Sequence, residues 1–120
     1  MIKNIAVVGC GHWGKNLIRN FSELGVLYAV CDENKELADK FADLYKVDNL
    51  NFNEIINNES IQGVVIAAPA VLHAQLAIKA LSAKKHVYVE KPLSLNINDS
   101  NEMIKTSLDN NVQLMVGHLL

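Results

Sequence analysis

Proline occurs only twice in these 120 residues, cysteine twice and tryptophan once. Proline-rich linkers, internal repeats and low-complexity segments are all missing, so the chain reads as one unit without a jointed boundary. Cys10 and Cys31 have neither a CxxC nor a Cys/His ligand spacing, which argues against a metal site. They read instead as small, reduced filler residues of a cytoplasmic protein. An excess of one charge is also lacking: eleven basic against thirteen acidic residues leave −2, with no basic run. Nucleic acid and an anionic membrane surface are therefore excluded as expected partners. No apolar stretch approaches the ~20 residues that span a bilayer. The N-terminus enters a strand by residue 4, without a secretory leader. Half the residues are hydrophobic and a fifth charged, so the length suffices for one domain with a real core and not for two.

What is present is concentrated near the start. Ile5 to Gly14 reads Ile-Ala-Val-Val-Gly-Cys-Gly-His-Trp-Gly, an apolar strand running into Gly9-x-Gly11-x-x-Gly14 and then an amphipathic helix. Gly9 allows the sharp turn, Gly11 lacks the Cβ that would keep a pyrophosphate from the backbone, and Gly14 lets the helix lie close to the sheet. The first-turn amides and the helix dipole then favour an anion. Tyr28-Ala-Val-Cys-Asp32 reads as a second buried strand ending in an acid 18 residues after Gly14. That is near the separation of about 20 at which a carboxylate meets adenosine ribose hydroxyls. Glu33 beside Asp32, with no arginine nearby and only Lys35 as a substitute, favours NAD over NADP.

Strands and helices alternate along the rest. The first strand is Lys3 to Val8, and the helix from about His12 carries Trp13, Leu17, Phe21 and Leu24 as one buried stripe, stopped by Gly25. Leu37, Ala38, Phe41, Leu44 and Tyr45 mark the next helix. A weak strand follows near Leu50–Phe52, with a short helix around Glu54 to Asn57. Gly63–Ala68 is a strand broken by Pro69, and His73 opens a helix with Ala74, Ala77, Ile78 and Leu81 inside. His86–Glu90 is the fifth strand, Ile97, Ile104 and Leu108 trace a helix, and Val112 to Val116 forms a sixth strand. The pattern predicts an α/β fold, a doubly wound parallel sheet of the Rossmann type with strand order 3-2-1-4-5-6. Ligands of such sheets bind at the carboxyl ends of the strands. That edge collects the glycine turn, Asp32, Pro69, His73, Glu90-Lys91-Pro92 and Gly117-His118. His12 and Lys15 lie beside the phosphate turn, either as phosphate contacts or as solvated first-turn side chains, and His86 starts a strand away from the cleft.

Glu90-Lys91-Pro92 at the end of strand five, taken with Ala68-Pro69-x-x-x-His73 and the glycine turn, makes the pattern specific. Over all 120 residues the chain resembles the nucleotide-binding half of the glucose–fructose oxidoreductase / inositol dehydrogenase / MocA family. Residues Gly9 to Phe21 look most like the branch acting on nucleotide-linked sugars, the sugar-nucleotide 3-dehydrogenases. The resemblance implies NAD(P)-dependent oxidation of a sugar or polyol hydroxyl, or reduction of the matching ketone. It implies a cofactor set of Gly9, Gly11, His12, Trp13, Gly14, Asp32, Ala68, Pro69, His73, Glu90 and Lys91. Lys91 is the implied catalytic residue, hydrogen-bonding the reacting hydroxyl, with Glu90 and Pro92 holding it and a cis Lys91–Pro92 bond. Ala68 stands where the family often has Thr or Ser, so one hydroxyl contact is lost. His73 is left between a cofactor-side role and helix capping, and His118 between the substrate cleft and a domain junction. Family members continue into a second α/β domain with the substrate floor, so residues 1–120 are expected to be the NAD(P)-binding domain alone, inactive by itself. A face left uncovered by that partner makes a homo-oligomer an expectation. The competing expectation is an NAD-binding sensor or scaffold module without chemistry. A short-chain or hydroxy-acid dehydrogenase is the weaker third, for want of a Tyr-x-x-x-Lys pair.

Overall fold

Apolar runs of strand length alternate with stripes of helical period, and each becomes the element its period dictates. The computed structural model describes residues 2–117. Its elements are β1 (Ile5–Val8), α1 (Gly14–Glu23), β2 (Leu27–Cys31), α2 (Lys35–Tyr45), β3 (Asp48–Asn49) and α3 (Phe52–Ile56). They continue with β4 (Gly63–Ile66), a 3-10 turn (Ala70–Leu72), α4 (His73–Ser82), β5 (His86–Glu90), α5 (Ile97–Asp109) and β6 (Leu114–Gly117). All six strands are parallel, in the order β3-β2-β1-β4-β5-β6, the doubly wound arrangement the sequence predicts.

The register decides where a site can form. Val8 pairs with both Cys31 and Ile66, Ile66 with Val89, and Glu90 with Gly117. The segments that follow β1, β2, β4 and β5 therefore leave the sheet at one edge, side by side. Successive residues of β1 serve opposite faces: Ala6 and Val8 pack with Ile55, Leu81 and Met103, whereas Val7 packs with Leu17, Ile18 and Phe41. α3, α4 and α5 thus cover one face, and α1 and α2 the other. Each fully buried Leu or Ile contributes about 1.5–3 kcal/mol, so Leu17 and Ile18 fix α1 against the sheet.

Three asparagines start helices. Asn34, Asn51 and Asn96 each accept a hydrogen bond from the backbone amide three residues on, and Asn51 completes a reciprocal pair with Glu54. α1 has no capping side chain at its N-terminus and ends as predicted, with Gly25 at φ +78°.

Several sequence-based expectations need correction. The buried face of α1 is Gly14, Leu17 and Ile18. Trp13 is the residue before the helix and is 50% exposed, while Leu24 is its C-cap and also exposed. The helix begins two residues later than the periodicity suggests, so both ends of the supposed stripe fall outside it. Leu44 likewise faces out from α2. β3 is Asp48–Asn49 rather than Leu50–Phe52, because Asn51 is taken up as the cap of α3. β6 is displaced two residues from the expected start. In α5, Ile97, Ile104 and Leu108 are all exposed, and Met103 and Ser107 face inward instead. His118 lies outside the described residues. No helix among those described is long and apolar enough to cross a membrane.

Candidate functional site

At the carboxyl edge of the sheet, the loops after β1, β2, β4 and β5 enclose a cavity of about 860 Å³. Gly9, Gly11, His12, Trp13, Asp32, Ala68, Pro69, His73, Glu90 and Lys91 all line it. Gly14 alone of the expected set does not, because it is buried beneath the turn.

The three glycines have separable roles. Gly9 adopts φ +103°, and a Cβ there would stand 2.7 Å from the Ala67 carbonyl carbon and oxygen. The turn therefore rests directly on the backbone of the loop after β4. A Cβ at Gly14 would run into the Gly9 carbonyl. Gly11 has nothing within 4 Å of its Cβ position, so the space above it is open. The amides of Gly11, His12 and Trp13 find no acceptor among the described residues, while Lys15 and Leu17 already bond back to Gly11 and Trp13. Unpaired amides, a helix N-terminus and an open approach form an anion cradle.

Asp32 sits immediately after β2 and is fixed from two sides. Its Oδ2 accepts from the Cys10 amide at 2.7 Å and its Oδ1 from the Asn34 amide at 2.8 Å. A carboxylate offers about four acceptor positions, so two remain for hydroxyl donors. Burial, with the Asp32 charge second, pushes the Cys10 thiol up to about 12 and the Cys31 thiol up to about 11. Cys31, on the cavity wall, is therefore an uncharged surface rather than a nucleophile at neutral pH.

The opposite end is built from the loops after β4 and β5. Glu90 is buried, and its Oε1 has no hydrogen-bond partner among the described residues. A buried carboxylate oxygen without a donor is costly, and its side chain lines the cavity. Burial, with the Glu90 charge second, raises the neighbouring Tyr88 phenol. Lys91 is exposed, its amide donates to the Gly117 carbonyl at 3.2 Å, and its bond to Pro92 is cis, as expected. His73 is buried, with Nε2 2.7 Å from the Ala68 carbonyl and Nδ1 2.7 Å from the Pro92 carbonyl.

The apolar wall was not singled out in the sequence. Leu37, Phe52, Leu72 and Leu76 line the cavity beside the expected residues. They carry no motif, and their only signal is an apolar residue in the first turns of helices that start at the ligand edge. His86 lies away from the cavity, its Nδ1 accepting from the Gln113 amide.

A family model described as an oxidoreductase family with an NAD-binding Rossmann fold matches residues 3–118. A 2,7-anhydro-N-acetylneuraminate hydratase of Escherichia coli (strain K12) is 30% identical over 118 residues, covering 98% of this chain and 32% of the hydratase. A myo-inositol 2-dehydrogenase of Thermotoga maritima is 30% identical over 117 residues, covering 94% of this chain and 35% of that enzyme. Among solved structures, a UDP-N-acetylglucosamine 3-dehydrogenase from Acidithiobacillus ferrooxidans superposes with a TM-score of 0.92 at 24% identity, over 98% of this chain and 39% of its own, a likeness of fold. The chain spans about a third of the length of the curated relatives it matches. Both of these sequence relatives are named as enzymes, which lends no support to a module without chemistry.

Proposed function

The chain belongs to the Gfo/Idh/MocA oxidoreductase family, and from that premise we propose that it forms the dinucleotide-binding half of an NAD-dependent oxidoreductase. The reaction would move a hydride between the cofactor and a hydroxyl or ketone of a sugar, a sugar nucleotide or a polyol. The observation that carries this reading is one continuous cavity with an anion cradle at one end and a lysine beside an unpartnered carboxylate oxygen at the other.

The residues present fit a dinucleotide. The free amides of Gly11, His12 and Trp13 would hold the pyrophosphate. Asp32 would accept from the ribose hydroxyls with its two remaining acceptor positions. Ala68 and Pro69 would pass beneath the cofactor, and the Glu90 oxygen would accept a donor at its far end. A bound nicotinamide would supply or accept the hydride. Lys91 would donate to the reacting oxygen and stabilise the alkoxide charge that develops there. The substrate floor would lie in the two-thirds of the relatives' length that this chain does not span.

NAD is the proposed coenzyme because a 2′-phosphate would meet Asp32 and Glu33 together, with Lys35 as the one cation of that wall. Trp13, the single tryptophan, lines the cavity and reports on its contents. Titrating NADH and NADPH at one ionic strength, followed by its fluorescence, should give at least about tenfold tighter binding of NADH. Equal or tighter NADPH binding overturns the coenzyme assignment. Silence with both coenzymes overturns the function.

A further inference from the structure

His73 is the first residue of α4, yet it does not cap that helix: both ring nitrogens are spent on carbonyls of two different loops. The Ala68 carbonyl belongs to the loop on which Gly9 rests. The Pro92 carbonyl belongs to the turn that carries Lys91. Carbonyl oxygens only accept, so each contact is a hydrogen bond whenever the ring nitrogen facing it carries the proton, and the ring lies between the two carbonyls in either tautomer. Lys91 itself has no ion-pair partner among the described residues, and its side chain is exposed. Its position is therefore set by its backbone, which is held by the Gly117 carbonyl on one side and by His73 through Pro92 on the other.

We propose that His73 is a positioning residue for Lys91: its ring spans the Ala68 and Pro92 carbonyls and fixes the Lys91–Pro92 turn relative to the floor under Gly9. The inference rests on the dinucleotide function proposed above. It assigns His73 no contact with the cofactor. The bond that matters for Lys91 is the one from Nδ1 to Pro92, and the bond from Nε2 anchors the ring.

Two substitutions separate the bonds. An asparagine amide nitrogen stands near the Nδ1 position and a glutamine amide nitrogen near Nε2. His73→Asn thus keeps the donor to Pro92, and His73→Gln keeps the donor to Ala68. NADH and ADP-ribose are titrated into wild type, both variants and Lys91→Ala. His73→Gln should lose about three- to tenfold in NADH affinity with ADP-ribose affinity unchanged, matching Lys91→Ala, while His73→Asn retains the NADH preference. The double variant His73→Gln/Lys91→Ala should lose no more than either single one. In wild type, where no substitution threatens the fold, the His73 Hε1 resonance should shift with NADH and stay put with ADP-ribose. Equal weakening of both ligands, additive losses in the double variant, or a His73 resonance indifferent to NADH overturns the inference while leaving the proposed function intact. A wild-type chain that binds neither ligand brings down both.

Discussion

The β1–β2 end of the cavity is shaped by atoms that are missing, and the β4–β5 end by a side chain that is present. At the first end, the absence of a Cβ at Gly9 and Gly14 lets the turn, the helix and the loop after β4 collapse onto one another, and its absence at Gly11 keeps the approach open. At the second end, the His73 ring fills the gap between two loops and bonds to both. The difference governs how each end tolerates change. Adding one carbon at a void is a collision with backbone, which has nowhere to go. Altering the ring leaves the loops in place but loosens one against the other.

The sharpest way to break this contrast lies within the glycines themselves. Gly14→Ala drives a methyl group into the Gly9 carbonyl, so it should cost about 3 kcal/mol or more and lower the thermal midpoint by roughly 10 °C. Gly11→Ala meets nothing within 4 Å and should leave stability within about 0.5 kcal/mol of wild type. Its penalty should fall on NADH affinity instead, by at least about tenfold. Calorimetry with and without NADH measures both quantities. A stable Gly14→Ala variant, or a Gly11→Ala variant that binds normally, would remove the division of labour between packing and approach.

Asp32 is the one added group at the subtractive end, and it refines the contrast with a smaller effect. Asp32→Asn keeps an acceptor for one of the two amides, Cys10 or Asn34, and turns a donor toward the other. The partly exposed site should lose about 1–2 kcal/mol, read from urea unfolding. The preference for NADH over NADPH should narrow at the same time, since a carboxylate charge facing a 2′-phosphate is gone. Unchanged discrimination would mean that Glu33 carries the selectivity alone.

The same contrast explains what could be read in the sequence. Glycine spacing and an acid at the end of β2 are local signatures, because glycine alone supplies a missing Cβ. The sheet order followed from alternating apolar runs and handed crossovers. The two bonds of His73 were not legible. They depend on which carbonyls, 5 and 19 residues away, the packing of α4 brings within 2.7 Å. The face of α5 was misleading for a related reason. Ile97, Ile104 and Leu108 are apolar at helical spacing, yet Met103 and Ser107 meet the inner layer, because α5 packs on α4 and β6 along a narrow strip. Trp13 was read as core because it continues the α1 period, although the helix starts one residue after it.

The smallest effect expected concerns the two thiols of the subtractive end. Burial, then the Asp32 charge, holds Cys10 near 12 and Cys31 near 11, both above the ordinary value of 9.0 that an unfolded chain restores. A raised pKa means that the folded state keeps its thiol proton more tightly than the unfolded state does. The stability linked to these protons is therefore fully present below pH 9 and is lost as pH rises through 11 to 12. Thiolate absorbance near 240 nm should stay flat to pH 9 in the folded protein, and a disulfide-exchange reagent at pH 8 should leave both cysteines intact. In Asp32→Asn the second contribution disappears and both titrations should move down, Cys10 included although its side chain lies on the other face of the sheet from Cys31. A downward shift at both cysteines would tie that end of the cavity to a single charge reaching both layers. A shift at neither would leave burial as the main cause, and the carboxylate's influence would end at the two amides it holds.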